Sequence, residues 1–228
     1  MDTTLDVVKW RRLLKDGASA FHLQFSDTQI EHFYQHMTAL VAWSQKINLT
    51  AINDPYEMAI KHFLDSVAPI GYCNPMSRVL DMGSGPGFPG LPLKVWLPEI
   101  DLTMVDAVRK KVSFLKHVVR VMGVKNARVF HARVEDIKRR PAFTPYDTIV
   151  CRAFGDLKYI VECALPLISK EGQILIWKGH KPEKELPSMR PLLDSSPRDM
   201  SIRMKTYRLP IVEAHRTLVI IEAKNKNA

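Results

Sequence analysis

Cysteine is scarce and poorly placed for its structural uses. Cys73, Cys151 and Cys163 are odd in number and lack metal-type spacing, which leaves neither a disulfide framework nor a metal knuckle. No window comes near about 18 uninterrupted apolar residues, which excludes a membrane-spanning helix. The opening Met-Asp-Thr-Thr-Leu-Asp has no basic start and no apolar run. No secretory signal is therefore expected, and the chain reads as cytoplasmic. Internal repeats and low-complexity runs are absent as well. With 228 residues, the chain suits one α/β domain with an appendage, large enough to bury a substantial core.

Charge is abundant and unevenly spread. Lys and Arg number 33 against 24 Asp and Glu, a formal net charge of +9. Between Ala107 and Arg140 stand 11 of the basic residues and two acids; outside that segment the counts balance at 22 and 22. Such a surplus suits an electropositive face aimed at phosphate, or a solvated helix surface, and charge alone does not separate the two.

The stretch that organises the chain is Arg78-Val-Leu-Asp-Met-Gly-Ser-Gly-Pro-Gly-Phe-Pro-Gly-Leu-Pro-Leu93. Val79-Leu80 reads as the end of a buried strand, with Asp81 where it stops. Gly83, Gly85 and Gly87 then let backbone approach a ligand closely, and a helix from Gly90 to Trp96 points its N-terminus at that ligand. A Walker phosphate loop would need Gly-Lys-Ser/Thr, but Leu91-Pro92 follow Gly90. A dinucleotide loop would need glycine at 88, where Phe88 stands. An acid ahead of the glycines suits an ammonium group, such as the one on S-adenosylmethionine, better than a pyrophosphate. Downstream, Asp101 to Val105 alternates like a strand and ends in Asp106, placed to accept from ribose hydroxyls.

Asp81 to Leu93, Val105-Asp106 with Lys110-Lys111, Arg133-Val-Glu135 and Arg152-Ala-Phe154 occur together. In this set the chain resembles the bacterial small-subunit (16S) ribosomal RNA guanine-N7 methyltransferases, the glucose-inhibited division protein B family. The likeness runs from about Trp43 to Glu222, and the Phe-Pro-Gly extension of the loop is its most specific part. Cys151 departs from it, since the family more often has serine there. The resemblance implies a Rossmann-like α/β fold with seven strands. It also implies S-adenosylmethionine contacts from Gly83, Phe88, Val134, Glu135 and Arg152, to which the residue chemistry adds Asp81, Gly85 and Asp106. The implied target is the guanine at rRNA position 527, in 16S rRNA or the small ribosomal subunit. No membrane or stable protein partner is implied.

Periodicity supplies the frame. Residues 4 to 49 read as helical, with Leu5, Val8, Leu13 and Leu14 as one stripe. After a cap at Ser26 or Asp27 come Ile30, Phe33, Tyr34, Met37, Leu40 and Val41. A further helix from Pro55 to about Ile70 carries His62 and Asp65. These helices form an expected cap, residues 1–74, on a methyltransferase domain, residues 75–228. Strands and helices then alternate as in a parallel sheet, and an antiparallel pair, Ser201 to Tyr207 and Thr217 to Ala223, closes it. Pro182 to Pro197 reads as irregular.

No acid–base residue is required, because guanine N7 offers a free lone pair and no proton. Arg152 and Lys178 are candidate substrate-side contacts, joined by Arg216 at the last strand. The lack of an Asn/Asp-Pro-Pro-Tyr/Phe motif after strand four counts against adenine amino methylation. Cys151 beside Arg152 would suit nucleophilic attack on a pyrimidine, but cysteine is more often a buried apolar residue. His62, His131 and His215 have no metal spacing and read as structural or surface residues. Two alternatives stand beside this reading: a methyltransferase for another RNA base or a small molecule, and a non-catalytic RNA-binding module.

Overall fold

A computed structural model describes residues 5–179 and 182–224. Thr4, where the helical region was expected to begin, lies outside the described residues. Helix α1 (Val7–Ser19) starts at Asp6, whose carboxylate accepts from the Lys9 amide. Helix α2 (Asp27–Ser44) is entered through Ser26, not Asp27: Ser26 and Gln29 satisfy each other's backbone amides in a capping box. The expected stripe on α1 is partly rotated. Trp10, Leu14 and Ala18 are buried, whereas Val8 is 77% exposed. On α2 the buried face includes His36, which apolar periodicity passes over.

The third helical run begins at α3 (Pro55–Met58), capped by Asp54. It widens into a π-helical stretch, Ala59–Leu64, and ends in α4 (Asp65–Val67). His62 and Asp65 leave it three positions apart, so both face the sheet's functional end. Wide turns of this kind often mark functional sites.

Seven strands follow in one sheet: β1 (Arg78–Met82), β2 (Asp101–Asp106), β3 (Ala127–His131), β4 (Tyr146–Arg152), β5 (Ile168–Lys178), β6 (Met200–Leu209) and β7 (Ala214–Ala223). Their order is β3-β2-β1-β4-β5-β7-β6. The first five are parallel, and β7 runs antiparallel to both β5 and β6, as expected. Crossovers through α5 (Gly90–Trp96), α6 (Arg109–Val121) and α7 (Leu157–Ala164) connect the parallel strands. Because β2 and β4 flank β1 on opposite sides, the strand order reverses there. Crevices beyond the carboxyl ends of strands at such a point are where open α/β sheets bind ligands.

Alternating side chains divide the sheet into two apolar faces. Val79, Leu102, Met104, Val150, Leu175 and Ile220 pack with α1, α2, α5 and α6, while Leu80, Val105, Ile149, Ile174 and Val219 pack with α7 and α8 (Leu186–Asp194). Phe33, Phe63 and Phe114 are fully buried on the first face, and each contributes roughly 1.5–3 kcal/mol of transfer free energy. The N-terminal helices therefore share a core with the sheet.

Two boundaries differ from expectation for reasons of proline chemistry. Periodicity alone would carry the helix from Leu157 to Ile168, but α7 stops at Ala164: Leu165 still takes helical angles, and Pro166 has no amide to continue the ladder. The stretch expected to be irregular holds α8, with one proline in its first turn and Pro191 inside it. Met189 and Leu193 anchor that helix in the core, and burial outweighs the local propensity. Among the described residues, no helix is long and apolar enough to cross a membrane.

Candidate functional site

The site forms where β1 turns into the glycine loop. Strand β1 runs through Asp81 to Met82, one step further than expected, and Asp81 is wholly buried. Its Oδ2 accepts from the Gly90 amide at 3.0 Å, so the N-terminus of α5 rests on this carboxylate. A Cβ on Gly90 would lie 2.5 Å from the same oxygen, so only glycine fits. Asp81 Oδ1 is buried with no hydrogen-bond partner among the described residues. Burial pushes the Asp81 pKa up to about 7, against the pull of the Gly90 hydrogen bond.

Gly85 takes a positive φ of 54°, and a Cβ there would meet nothing closer than the Gly83 carbonyl at 3.9 Å. The loop thus shows bare backbone to open space. Gly83 differs: it lies under the Phe154 ring, which a Cβ would approach to 2.2 Å. Asp106 was expected to await a ribose, and it already organises the loop. Its Oδ2 accepts from Gly85 N at 2.9 Å and its Oδ1 from Val108 N at 2.8 Å. Each oxygen keeps a second lone pair for a ligand hydroxyl.

Phe88 stands apart from a simple loop contact. Its ring is 3% exposed and lies between two imidazoles of the N-terminal helices, His36 at 4.7 Å and His62 at 4.5 Å, both nearly parallel to it. What Phe88 can offer a ligand is therefore mainly backbone. Val134 is buried in the 3₁₀ turn Val134–Arg139, and Glu135 is exposed beside it. Its own amide and the Tyr159 hydroxyl, 2.9 Å from Oε1, hold its carboxyl below the usual range.

Arg152 is the last residue of β4, and only 14% of its side chain is exposed. It donates to the Lys61 carbonyl at 3.1 Å and to His62 Nδ1 at 3.0 Å, and pairs with Asp65 at 3.4 Å. Burial lowers its pKa, with Asp65 opposing. Asp65 also receives Arg216 Nε at 3.1 Å and the Tyr207 hydroxyl at 2.7 Å. His62 Nε2 meets Thr50 Oγ1 at 2.9 Å, and burial pushes its pKa down to about 2. That ring is a neutral strut. Lys178 is less free than expected, since its ammonium pairs with Glu185 at 2.8 Å and donates to the Gly155 carbonyl. Cys151 is fully buried in β4 and burial pushes its thiol up, which removes it as a nucleophile.

A pocket of about 570 Å³ opens between the glycine loop and the Arg152–Asp65 junction. Gly83, Gly85, Pro86 and Phe88 line one side, while Lys61, Lys111, Arg152, Lys178 and Arg216 bring positive charge to it. Asp81, Asp106, Val134 and Glu135 are not among its lining residues, and Asp81 lies wholly buried behind the loop. Asp106 reaches it through the Gly85 amide; Glu135 lies beyond the Phe154–Tyr159 ring pair, whose centroids are 5.5 Å apart. An unpartnered buried carboxylate oxygen, a side-chain-free loop and a spare acceptor on Asp106 fit a ligand carrying an ammonium group and a ribose. Sequence reasoning missed His36 and the junction role of Asp65 and Tyr207, because neither periodicity nor motif marks a residue whose partners lie far away in the chain.

The family profile for rRNA small subunit methyltransferase G (GidB) matches residues 29–203. The ribosomal RNA small subunit methyltransferase G of Geotalea uraniireducens is 36% identical over 215 residues, covering 93% of this chain and 96% of its own. That of Geobacter sulfurreducens is 38% identical over 210 residues, covering 92% and 96%. Among solved structures, the O-methyltransferase of Bacillus cereus in complex with SAH superposes with a TM-score of 0.60 at 13% identity, covering 96% of this chain and all of that one. TYW2 of P. horikoshii in complex with MeSAdo gives 0.56 at 15% identity, over 72% and 63%. The structural likenesses carry the fold, which is Rossmann-like and shared with methyltransferases.

Proposed function

Because this chain belongs to the rRNA small subunit methyltransferase G family, we propose that it methylates guanine N7 in 16S rRNA, at position 527, with S-adenosylmethionine as methyl donor. Residues 1–74 act as the cap and residues 75–228 as the methyltransferase domain. One observation carries the reading. The glycine loop, with Asp81 and Asp106 behind it, and a basic wall of Lys61, Arg152, Lys178 and Arg216 face the same pocket at the carboxyl ends of β1, β4 and β5.

The contacts assigned to the cofactor are Asp81, Gly83, Gly85, Phe88, Asp106, Val134, Glu135 and Arg152. Asp81 Oδ1 is the acceptor for the ammonium, Asp106 and Glu135 serve the nucleoside hydroxyls, and the backbone at Gly83, Gly85 and Phe88 shapes the cradle. When bound, S-adenosylmethionine supplies an electrophilic methyl on a sulfonium. The chain's task is alignment. Guanine N7 attacks with its own lone pair, so no side chain has to accept a proton. His62, held neutral between Thr50 and Arg152, matches that absence. Correct alignment of two reactants is worth roughly 7–11 kcal/mol. Arg152, fixed by three groups of the cap helix, and Arg216 on the same carboxylate present rigid donors to the RNA.

Mass-spectrometric mapping of modified bases in rRNA from cells with and without the gene tests the reading. The expected result is loss of a single 7-methylguanine from 16S rRNA in the deleted strain. An unchanged map would overturn it.

A further inference from the structure

His36 is wholly buried on α2, far in sequence from the glycine loop, yet its ring touches three consecutive residues of that loop. Its Nε2 lies 2.7 Å from the Pro86 carbonyl oxygen. A Cβ on Gly87 would come within 3.3 Å of the ring, and Phe88 stacks on it at 4.7 Å with a tilt of 10°. The other side of Phe88 is covered by His62. Since Nδ1 is buried without a partner among the described residues, the proton belongs on Nε2, which donates to Pro86.

The rest of the crest is pinned from within the sheet domain: Gly85 N to Asp106, Gly87 N and Phe88 N to the Ser84 carbonyl, Leu91 N to the Gly87 carbonyl. The Pro86 carbonyl is the crest group anchored from the cap. Pro86 itself lines the pocket.

We propose that His36 is a positioning residue that sets the cofactor loop from the N-terminal cap: its Nε2–H fixes the Pro86 carbonyl, and its ring fixes Phe88, so that the backbone from Gly85 to Phe88 is pre-arranged for S-adenosylmethionine. The proposal rests on the reading of the pocket as the S-adenosylmethionine site. A loop rich in glycine loses much freedom on ordering, and an external donor that orders it beforehand removes part of that cost from ligand binding. His36 touches neither reacting atom, so its effect falls on binding of the donor.

Two variants separate the hydrogen bond from the packing. His36→Phe keeps a flat ring against Phe88 and removes the donor. His36→Gln places an amide donor at about the reach of Nε2 and gives up the ring. Binding of S-adenosylmethionine is measured by calorimetry on the full chain, beside the thermal midpoint without ligand and the kinetics on small ribosomal subunits. His36→Phe is expected to weaken binding roughly five- to tenfold, the scale of one neutral hydrogen bond. KM for the donor should rise to match, with kcat at saturating donor kept within about twofold. His36→Gln should bind more tightly than His36→Phe even though it packs less well and melts lower. If affinity follows the melting point instead of the donor, or if His36→Phe binds like wild type, the proposal is overturned. Failure of the wild-type chain to bind S-adenosylmethionine would overturn the cofactor reading itself, and this inference with it.

Discussion

Arg152 at the end of β4 reaches Asp65 of the cap at 3.4 Å, with 14% and 3% of their side chains exposed. The same carboxylate receives Arg216 from β7 and Tyr207 from β6, and the Asp65 carbonyl accepts from the Trp177 indole on β5. One acid thus ties four strands to a helix outside the sheet.

Removing that acid leaves two largely buried guanidinium groups without a counter-charge. Asp65→Ala is therefore expected to lower stability by about 3–5 kcal/mol, the scale for breaking a buried pair on one side. It should appear as a lower urea midpoint with an unchanged slope. A midpoint equal to that of the wild type would deny Asp65 its structural role.

The raised pKa of Asp81 has consequences in two directions. Between its ordinary value near 3.8 and about 7 the folded state holds a proton that the unfolded chain releases. Its contribution to stability accordingly declines as pH rises through that window and is level above it. Asp81→Asn should flatten this part of the pH–stability curve. Binding of an ammonium beside Asp81 favours the carboxylate, so S-adenosylmethionine should bind more tightly as pH approaches about 7 and should release a proton. Calorimetry near neutral pH in buffers of different ionisation enthalpy reads that proton; none released would mean that the ammonium does not face Asp81.

Gly85→Val puts a β-branched side chain at φ 54°, where the cost is conformational and the space is open. Strain of about 1–2 kcal/mol is expected in the thermal midpoint. Affinity for S-adenosylmethionine should fall much further, because the new side chain stands in the pocket. A variant that stays folded and binds normally would move the site elsewhere.

For Asp106→Ala the expected loss of cofactor affinity is roughly 1.5–3 kcal/mol, the range for hydrogen bonds to a charged group. Because Asp106 also holds the Gly85 and Val108 amides, the melting temperature of the ligand-free chain should fall too. A stability loss with cofactor affinity within a few tenths of a kcal/mol would assign Asp106 to the loop alone.

Lys116 and Arg120 lie exposed along α6, whereas Lys111 of the same helix turns toward the pocket. If the first two meet RNA phosphates, replacing both by glutamine should weaken binding to 16S rRNA. The log–log salt slope should also flatten by roughly one unit per lost contact. Cofactor affinity should not change. An unaltered slope would make this face a solvated one.

Local signals made much of this protein legible before folding. The glycine loop, the acid ending β2, the alternation of strands and helices and the antiparallel closing pair are written in runs of about five to ten residues, where periodicity and turn chemistry act. The bounds of α5 and the end of β2 agree with that reading residue for residue. Long-range partners were not legible. Phe88 reads from sequence as an open loop contact, and the tertiary structure closes it between two histidines 52 and 26 positions away. Arg152 reads from sequence as a cofactor or substrate contact, and only the docked cap shows that Lys61, His62 and Asp65 hold it. Lys178 likewise finds Glu185, and α8 forms through two prolines because its apolar side has a core to enter. Backbone geometry follows from neighbours along the chain. Which buried donor meets which acceptor follows from how helices outside the sheet come to rest on it, and that is settled by burial over the whole surface.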